Sequence, residues 1–413
     1  MNAEIVAVGS ELLTPDFQDT NSLYLIRRLG DAGIPVIRRT IVGDRPADMV
    51  PTLRAAREAS DLIVVGGGLG PTGDDLTREA VGEALGRRLV FHPEILTAME
   101  ARFARRKRPM AESNRRQAFV LEGAEVLENP RGSAPGQWLE DGGRRFVLLP
   151  GPPHEFEGVF EEQVWPRLRA WRKGFGIRRI LRTTGLGESD VEDRIAGLYP
   201  ETGSVRLTVL ASPGQIDLHV SSFSEISEAA AAGSADALTA ELKSRLADFI
   251  FAETPMPIEE IVARLLTGEG KTLATAESCS GGLLAHRLTN VPGSSAYFLE
   301  GFITYENAAK IRELGVPVGL IATNGAVSAP VAEAMARGAR SRSGSDYALA
   351  VSGIAGPSGG TEEKPVGLVF VSLAGPESVV SSRNLFFGRR EAIKWQSSQK
   401  ALDMLRRALL ASP

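Results

Sequence analysis

Residues 62–75 read Leu62-Ile63-Val64-Val65-Gly66-Gly67-Gly68-Leu69-Gly70-Pro71-Thr72-Gly73-Asp74-Asp75. Leu62–Val65 is a strand apolar on both faces, and strands of that kind belong to mostly parallel sheets covered by helices on each side. Ligands of such sheets lie beyond the carboxyl ends of the strands. The glycines that follow mark a strand-to-helix turn, with a helix expected over Asp75–Gly86 and Leu76, Ala80 and Leu85 inward. Glycines there let backbone N–H groups approach an anion closely, and a helix start adds a positive dipole. The spacing lacks the Gly-Lys-Ser/Thr ending of a Walker A loop, and its third glycine is misplaced for a Rossmann fingerprint. Asp74 and Asp75 suit a helix cap. They equally suit Mg²⁺, which takes one or two carboxylates and fills its shell with substrate oxygens.

Working outward, Ile5–Val8 and Phe146–Leu149 read as further strands and Val36–Val42 as extended. Helices are expected over Thr20–Gly33, with Leu23, Ile26 and Leu29 on one face, over Ala47–Ser60, and from the proline-rich stop at 150–153 to about Trp171. Glu11 and Pro150-Gly151-Pro152-Pro153 then fall on the same sheet edge as the glycine loop. Residues 1–172 are expected to form a three-layer α/β domain with a mostly parallel sheet. Residues 175–252 read as a small α+β domain, a spacer or packing module without a convergent polar cluster. It holds strands at 177–184, 205–210 and 215–222, and helices at 188–198 and 229–246. The segment Glu253-Thr254-Pro255-Met256-Pro257 is a linker. Residues 257–413 return to α/β alternation and close on a helix over 391–410 with Leu402, Leu405 and Leu409 on one face.

The bulk numbers exclude several classes. The 413 residues fit two or three domains at about 150 residues each. A net charge of −4 gives no electrostatic case for nucleic acid or an anionic membrane as the main partner. The basic run Arg102, Arg105, Arg106, Lys107 and Arg108 reads as a solvated helix face. The single Cys279 fits a reducing compartment. The first residues lack the basic region of a signal peptide, and no apolar run approaches the ~18 residues needed to span a bilayer. The expectation is a soluble cytoplasmic protein. Four scattered histidines make a zinc site of the His/Cys kind untenable.

A second group of motifs lies in residues 257–413. Ala276-Glu277-Ser278-Cys279-Ser280-Gly281-Gly282 sits between a strand at 271–276 and a helix at 281–288, where Ser and Gly make a donor nest. Ser278 or Ser280 as a helix cap is the structural alternative. No histidine pairs with Cys279, so the thiol reads as buried and inert. Pro292-Gly293-Ser294-Ser295-Ala296-Tyr297-Phe298 follows, then a strand at 301–305, and Lys310 stands five positions after Tyr305. A serine with a lysine kept neutral by burial, and a tyrosine that relays or orients, is a known hydrolytic solution. Strands at 347–352 and 366–373 flank Gly353-Ile354-Ala355-Gly356-Pro357-Ser358-Gly359-Gly360, a loop placed to cradle a ligand.

The residues carry a resemblance. GGGLGPTGDDLT at 66–77, VGSELL at 8–13, DTNS at 19–22, NPRGSAPG at 129–136 and LPGPPHEF at 149–156 resemble the molybdopterin-binding-type domain of the CinA family. That resemblance implies a fold shared with molybdenum-cofactor biosynthesis proteins and an ADP-ribose pyrophosphatase activity using a divalent metal, Mg²⁺ or Co²⁺. It maps Glu11, Asp44, Asp74 and Asp75 as metal and phosphate residues. It maps Gly68, Gly70, Thr72, Asn114, Asn129, Ser133 and Glu155 as substrate contacts. Thr14-Pro15-Asp16 departs from a Gly-Gln pair common in the family. Nothing in these residues alone chooses pyrophosphatase over plain nucleotide or pterin binding.

Nearly all of 258–413 resembles the CinA C-terminal, nicotinamide-nucleotide amidase domain. The resemblance implies metal-free hydrolysis of nicotinamide mononucleotide to nicotinic acid mononucleotide and ammonia. It points to Ser278, Ser295, Tyr305 and Lys310 as the catalytic set, with Ser295 expected as nucleophile. Gly353, Gly356, Gly359 and Gly360 are then expected to hold the nucleotide. Ser280 stands where the family usually has Thr, Glu306-Asn307-Ala308 where it has Ser-Asn-Glu, and Asn324 where it has His. A homodimer is also implied. The rival expectation is a regulatory protein that binds nucleotides or pterin, with an N-terminal domain that turns nothing over.

Overall fold

The computed structural model describes residues 1–170, 174–200 and 204–411. The chain divides into two compact units, Met1–Ile177 with Ser222–Gly233, and Arg178–Ser221 with Ser234–Pro413. Trp171 and residue 172, where the first domain was expected to end, lie outside the described residues, as do residues 412 and 413.

The first unit begins β1 (Ala3–Val8), α1 (Thr20–Asp31), β2 (Val36–Val42), α2 (Pro46–Ala59), β3 (Leu62–Gly66) and α3 (Thr77–Leu85). It continues β4 (Leu89–Phe91), α4 (Pro93–Arg105), β5 (Phe119–Leu121), β6 (Glu125–Leu127), β7 (Gly136–Asp141) and β8 (Arg144–Leu149). It ends with α5 (Pro153–Val159), which runs through a π turn at Phe160–Val164 into α6 (Trp165–Ala170). The main sheet has the order β2-β1-β3-β8-β7-β6. Its first four strands are parallel, and β7 runs antiparallel to both β8 and β6. Strand period two divides the apolar residues between two cores. Ile5, Val64, Val147 and Leu149 pack with Leu25 and Leu29 of α1 and with Phe156 and Val159 of α5. Val6, Ile63, Val65 and Leu148 pack with Met49 and Leu53 of α2 and with Ala80 and Val81 of α3. Both sheet faces are covered, as continuous apolar strands require.

Two local expectations fail here. The inward stripe of α1 is Ser22, Leu25 and Leu29, while Leu23 and Ile26 stay 44% and 39% exposed. A helix turns one stripe inward, and Leu25 is the residue in register with Leu29 at i, i+4. Helix α3 starts at Thr77 with no side-chain cap, so Asp74 and Asp75 precede it instead of capping it.

The middle module holds β9 (Phe175–Thr183), α7 (Glu188–Ile195), β10 (Val205–Ser212), β11 (Gln215–Ser224), α8 (Glu228–Leu246) and β12 (Ile250–Ala252). Its sheet has the order β10-β11-β9-β12. Ile216, Leu218 and Val220 alternate into its core as expected of a half-buried strand.

The remainder is α9 (Ile258–Glu269), β13 (Leu273–Glu277), α10 (Leu283–Thr289), β14 (Phe298–Ile303), α11 (Asn307–Leu314), α12 (Val318–Asn324) and α13 (Ala329–Ser343). After these come β15 (Tyr347–Gly353), β16 (Leu368–Ala374), β17 (Val379–Leu385) and α14 (Arg390–Ala411). The sheet order is β14-β13-β15-β16-β17, parallel through the first three strands and antiparallel through the last two. Leu273, Leu349, Val351 and Val371 pack with Val262 and Leu266 of α9 and with Leu402, Leu405 and Leu409 of α14. Each such fully buried leucine contributes about 1.5–3 kcal/mol. The opposite face is small, with Ala274, Ala276, Ala348 and Ala350, and it takes Val331, Met335 and Ala336 of α13. No described helix is long and apolar enough to cross a membrane.

Candidate functional site

Strands β13, β14 and β15 are parallel, so Ser278, Thr304 and the loop after Gly353 leave the sheet at one edge. Lys310, in the first turns of α11, reaches back to that edge. Its Nζ donates to Ser278 Oγ at 3.2 Å and to the carbonyl oxygens of Thr304 and Tyr305 at 2.9 and 3.0 Å. Lys310 is 1% exposed and Ser278 9%. Burial pushes the Lys310 pKa down, against smaller opposing effects of Cys279 and Glu306. Two carbonyls and one hydroxyl suit both forms of the amine: an ammonium donates to all three, and a neutral amine donates to the two carbonyls and accepts the Ser278 proton on its lone pair.

Ser295 is elsewhere. It lies in a short 3-10 turn, Ser294–Ala296, ahead of the amino end of β14, and it is exposed. Tyr297 anchors that turn through its hydroxyl on the Leu288 carbonyl at 2.7 Å. Strand β14 separates Ser295 from Thr304, and its six residues span roughly 20 Å at ~3.3 Å each. The expected pairing of Ser295 with Lys310 therefore does not occur within the chain, and Ser278 holds that place.

Tyr305 is 58% exposed. Its hydroxyl accepts from Arg390 Nη2 at 3.0 Å, while its carbonyl serves Lys310. Arg390 Nη1 also donates to the Gly356 carbonyl at 2.8 Å, so this arginine at the start of α14 ties the glycine loop to Tyr305. Arg390 escaped the sequence reading because it stands 85 residues from Tyr305 and belongs to no local motif. Among the loop glycines, Gly353 is pressed against Leu368 and Val369 of β16, Gly356 is buried, and Gly359 and Gly360 are exposed.

The nest expected at the start of α10 is largely filled from within. Glu277 Oε2 accepts from the N–H groups of Gly282 and Leu284 at 2.9 and 3.0 Å, and Oε1 accepts from Ala285 at 2.8 Å. Glu277, not Ser278 or Ser280, is the residue that satisfies this helix start. Among the described residues, the N–H groups of Cys279 and Ser280, next after Ser278, donate to no backbone carbonyl. Burial pushes the Cys279 thiol up to about 12, which leaves it protonated and inert as expected.

In the first unit the carboxyl ends of β1, β2, β3 and β8 open on one cleft of about 540 Å³. Glu11, Asp44, Asp74, Asp75, Gly68, Gly70 and Thr72 all line it. Asp44 Oδ2 accepts from Ser10 N at 2.8 Å, and Asp75 Oδ2 accepts from Thr72 N at 2.8 Å. The Thr72 hydroxyl bridges the carboxylates of Asp74 and Asp75, and that contact lowers the Asp74 pKa. Among the described residues, no three His, Cys, Asp or Glu groups converge as a ready metal cage. The Asp74–Asp75 pair fits the narrower demand of a hard divalent ion that completes its shell with water and phosphate oxygens.

The other expected contacts stand back from the cleft. Asn114 is 7% exposed and donates to Gln117 Oε1 at 3.0 Å. Asn129 donates to Glu155 Oε2 at 2.7 Å and to the Ala134 carbonyl at 2.8 Å, and it accepts from Gly132 N at 2.8 Å. Ser133 lies half-buried in this same loop. Arg102 is half-buried and donates to the carbonyls of Asn129 and Gly132. That removes it from the solvated face to which Arg105, Arg106, Lys107 and Arg108 belong.

Three family models match consecutive stretches of the chain. A probable molybdopterin binding domain covers residues 4–170, a damage-inducible protein CinA KH domain covers 178–252, and a CinA C-terminal domain covers 256–409. A CinA-like protein of Koribacter versatilis is 46% identical over 415 residues, which is 99% of this chain and 100% of that one. A putative competence-damage inducible protein of Moorella thermoacetica is 44% identical over 413 residues, covering 100% and 99%. Among solved structures, a competence/damage inducible protein of Agrobacterium tumefaciens shares 42% identity over 39% of this chain and 99% of that one, with a TM-score of 0.36. Relatives this similar along their whole length place the chain in the CinA family, with a molybdopterin-binding-like domain ahead of a CinA C-terminal domain.

Proposed function

We propose that the C-terminal domain hydrolyses the carboxamide of nicotinamide mononucleotide, with Ser278 as nucleophile and Lys310 as its base. The observation that carries this reading is the hydrogen bond between the two side chains at 3.2 Å, in a site where Lys310 is buried and its ammonium form disfavoured. Ser278 Oγ gives its proton to Lys310 Nζ and attacks the carboxamide carbon. The tetrahedral oxyanion is received by the N–H groups of Cys279 and Ser280. The C–N bond then breaks, the nitrogen takes the proton from Lys310, and ammonia leaves. Water hydrolyses the resulting ester with Lys310 again as base, which releases nicotinic acid mononucleotide and restores Ser278. Arg390 and Tyr305 stand at the mouth of this edge and hold the glycine loop against it. No step requires a metal.

For the N-terminal cleft the reading is hydrolysis of ADP-ribose. Asp74 and Asp75 are the residues that would hold Mg²⁺ or Co²⁺, which when bound supplies Lewis-acid polarisation of a phosphate. The second reading, a cleft that binds nucleotides or pterin without turnover, is favoured by Thr14-Pro15-Asp16, which stands where the family often has a Gly-Gln pair. The whole is read as a cytoplasmic homodimer acting on small nucleotides, not on nucleic acid or membranes.

Ammonia release from nicotinamide mononucleotide tests the leading claim. Ser278→Ala is expected to abolish it and Ser295→Ala to leave it within a few-fold of wild type. Normal release by Ser278→Ala would end the nucleophile assignment. ADP-ribose supplied with Mg²⁺ or Co²⁺ separates the two readings of the cleft.

A further inference from the structure

The glycine loop that lines the N-terminal cleft has its carbonyl groups taken one after another from behind. Thr77 Oγ1 donates to the Gly67 carbonyl at 2.8 Å, and Thr77 N donates to that of Gly68 at 3.2 Å. Arg78 Nη1 donates to the Leu69 carbonyl at 2.7 Å, and Nη2 to that of Gly70 at 3.3 Å. Gln117 adds a second donor to Leu69 at 3.4 Å and is itself held by Asn114. In a planar trans peptide the C=O of one residue and the N–H of the next point in opposite directions. Fixing the carbonyls of residues 67, 68 and 69 therefore turns the N–H groups of Gly68, Leu69 and Gly70 the other way. All three residues line the cleft, and among the described residues nothing accepts from their N–H groups. Gly68 has φ +64, and a Cβ there would collide with the Thr77 hydroxyl, so the loop cannot close over Thr77 with any other residue.

Arg78 adds a charge to this geometry. It is 1% exposed, its Nε has no partner, and its hydrogen bonds end on carbonyl dipoles, not on a carboxylate. A buried cation without a bonded counter-charge is costly. Here its field passes through polarised peptide groups whose positive ends face the cleft.

We propose that Thr77 and Arg78 are positioning residues that present three peptide N–H groups to a diphosphate. In this arrangement the buried Arg78 charge sets the preference for that ligand over neutral ones. The proposal rests on the cleft taking a phosphate-bearing ligand, but not on its hydrolysis.

Calorimetry on the full chain with inorganic pyrophosphate and with adenosine tests it. Arg78→Met is expected to weaken pyrophosphate binding on the order of 10–100-fold and adenosine binding hardly at all. Arg78→Lys keeps the charge without the fork and should recover only part of the loss. Thr77→Val should weaken pyrophosphate by several-fold, and Thr77→Ser should restore it. That pair decides the matter if Arg78→Met does not fold. In wild type the amide resonances of Gly68 and Gly70 are expected to shift downfield with pyrophosphate. Equal losses for pyrophosphate and adenosine would mark Arg78 as merely structural and overturn the proposal. Unchanged pyrophosphate affinity in both Arg78→Met and Thr77→Val, or no pyrophosphate binding by wild type, overturns it too. Arg78-dependent pyrophosphate binding without ADP-ribose turnover would remove the hydrolase reading and keep this one.

Discussion

At the carboxyl edge of β13 and β14 the groups presented are side chains taken out of water, Ser278 and Lys310. At the carboxyl edge of β1 and β3 they are peptide N–H groups and exposed carboxylates around an open cleft. The two sheets are alike in order and direction where it matters, with a central parallel strand feeding a glycine-rich turn. Parallel strands fix only the place of a site. The chemistry depends on what burial does to the groups delivered there. A lysine deprived of water becomes a base, whereas an aspartate left in water stays charged and ready for a cation.

The sharpest way to break this contrast is to remove the buried amine. Lys310→Met is expected to lower ammonia release from nicotinamide mononucleotide on the order of 10⁴-fold or more, with ADP-ribose turnover untouched. The same group sets the pH profile. Lys310 must be neutral to act, and burial holds its pKa below the ordinary value of about 10.4. The amidase rate therefore rises with pH to a midpoint below that value and is flat above it. The unfolded chain binds this proton more tightly than the folded one, so folding stability also rises with pH between the lowered and the ordinary value. A rate that rises only above that ordinary value would dismiss Lys310 as a base made neutral by burial.

The next effect belongs to the open cleft. Asp75→Asn should reduce metal-dependent ADP-ribose hydrolysis about 10²-fold, since several kcal/mol of charge stabilisation are lost at ~1.4 kcal/mol per tenfold. The amidase rate should not change. Equal losses in both reactions would mean that the substitution unfolds the chain and that the two sites cannot be read separately.

The smallest effect tests the filled helix start. Glu277→Ala leaves the N–H groups of Gly282, Leu284 and Ala285 without their acceptor. A loss of about 1–3 kcal/mol is expected as a lower urea midpoint with unchanged m. An unchanged midpoint would show that water replaces the carboxylate without cost, and the nest would then be open to a ligand after all.

The sequence places both groups of motifs at the sheet edges where the structure has them, because each motif abuts an apolar strand whose direction the alternation dictates. Leu62–Val65 and the glycines after it, or Tyr347–Ser352 and the loop at 353–360, are local facts of the chain. Reading failed where two positions on one element compete for one role. In α1 the periodicity of Leu23 and Ile26 was no worse than that of Leu25, and only the approach of the sheet selected the stripe.

What the sequence by itself determined is the alternation of strand and helix, the glycine turns and the set of hydroxyl, amine and carboxylate groups on offer. What only the tertiary structure decided is which of them meet. Along the chain Ser295 is the expected partner for Lys310 and Ser278 the alternative. The order β14-β13-β15 sets Ser278 beside Thr304 and leaves Ser295 at the far end of β14. Arg390 reaches Tyr305, and Arg78 reaches the backs of Leu69 and Gly70, by the same means. Periodicity specifies the face and the end of an element on which a residue stands, but a contact of about 3 Å between separate elements depends on strand order and packing, which no local pattern encodes.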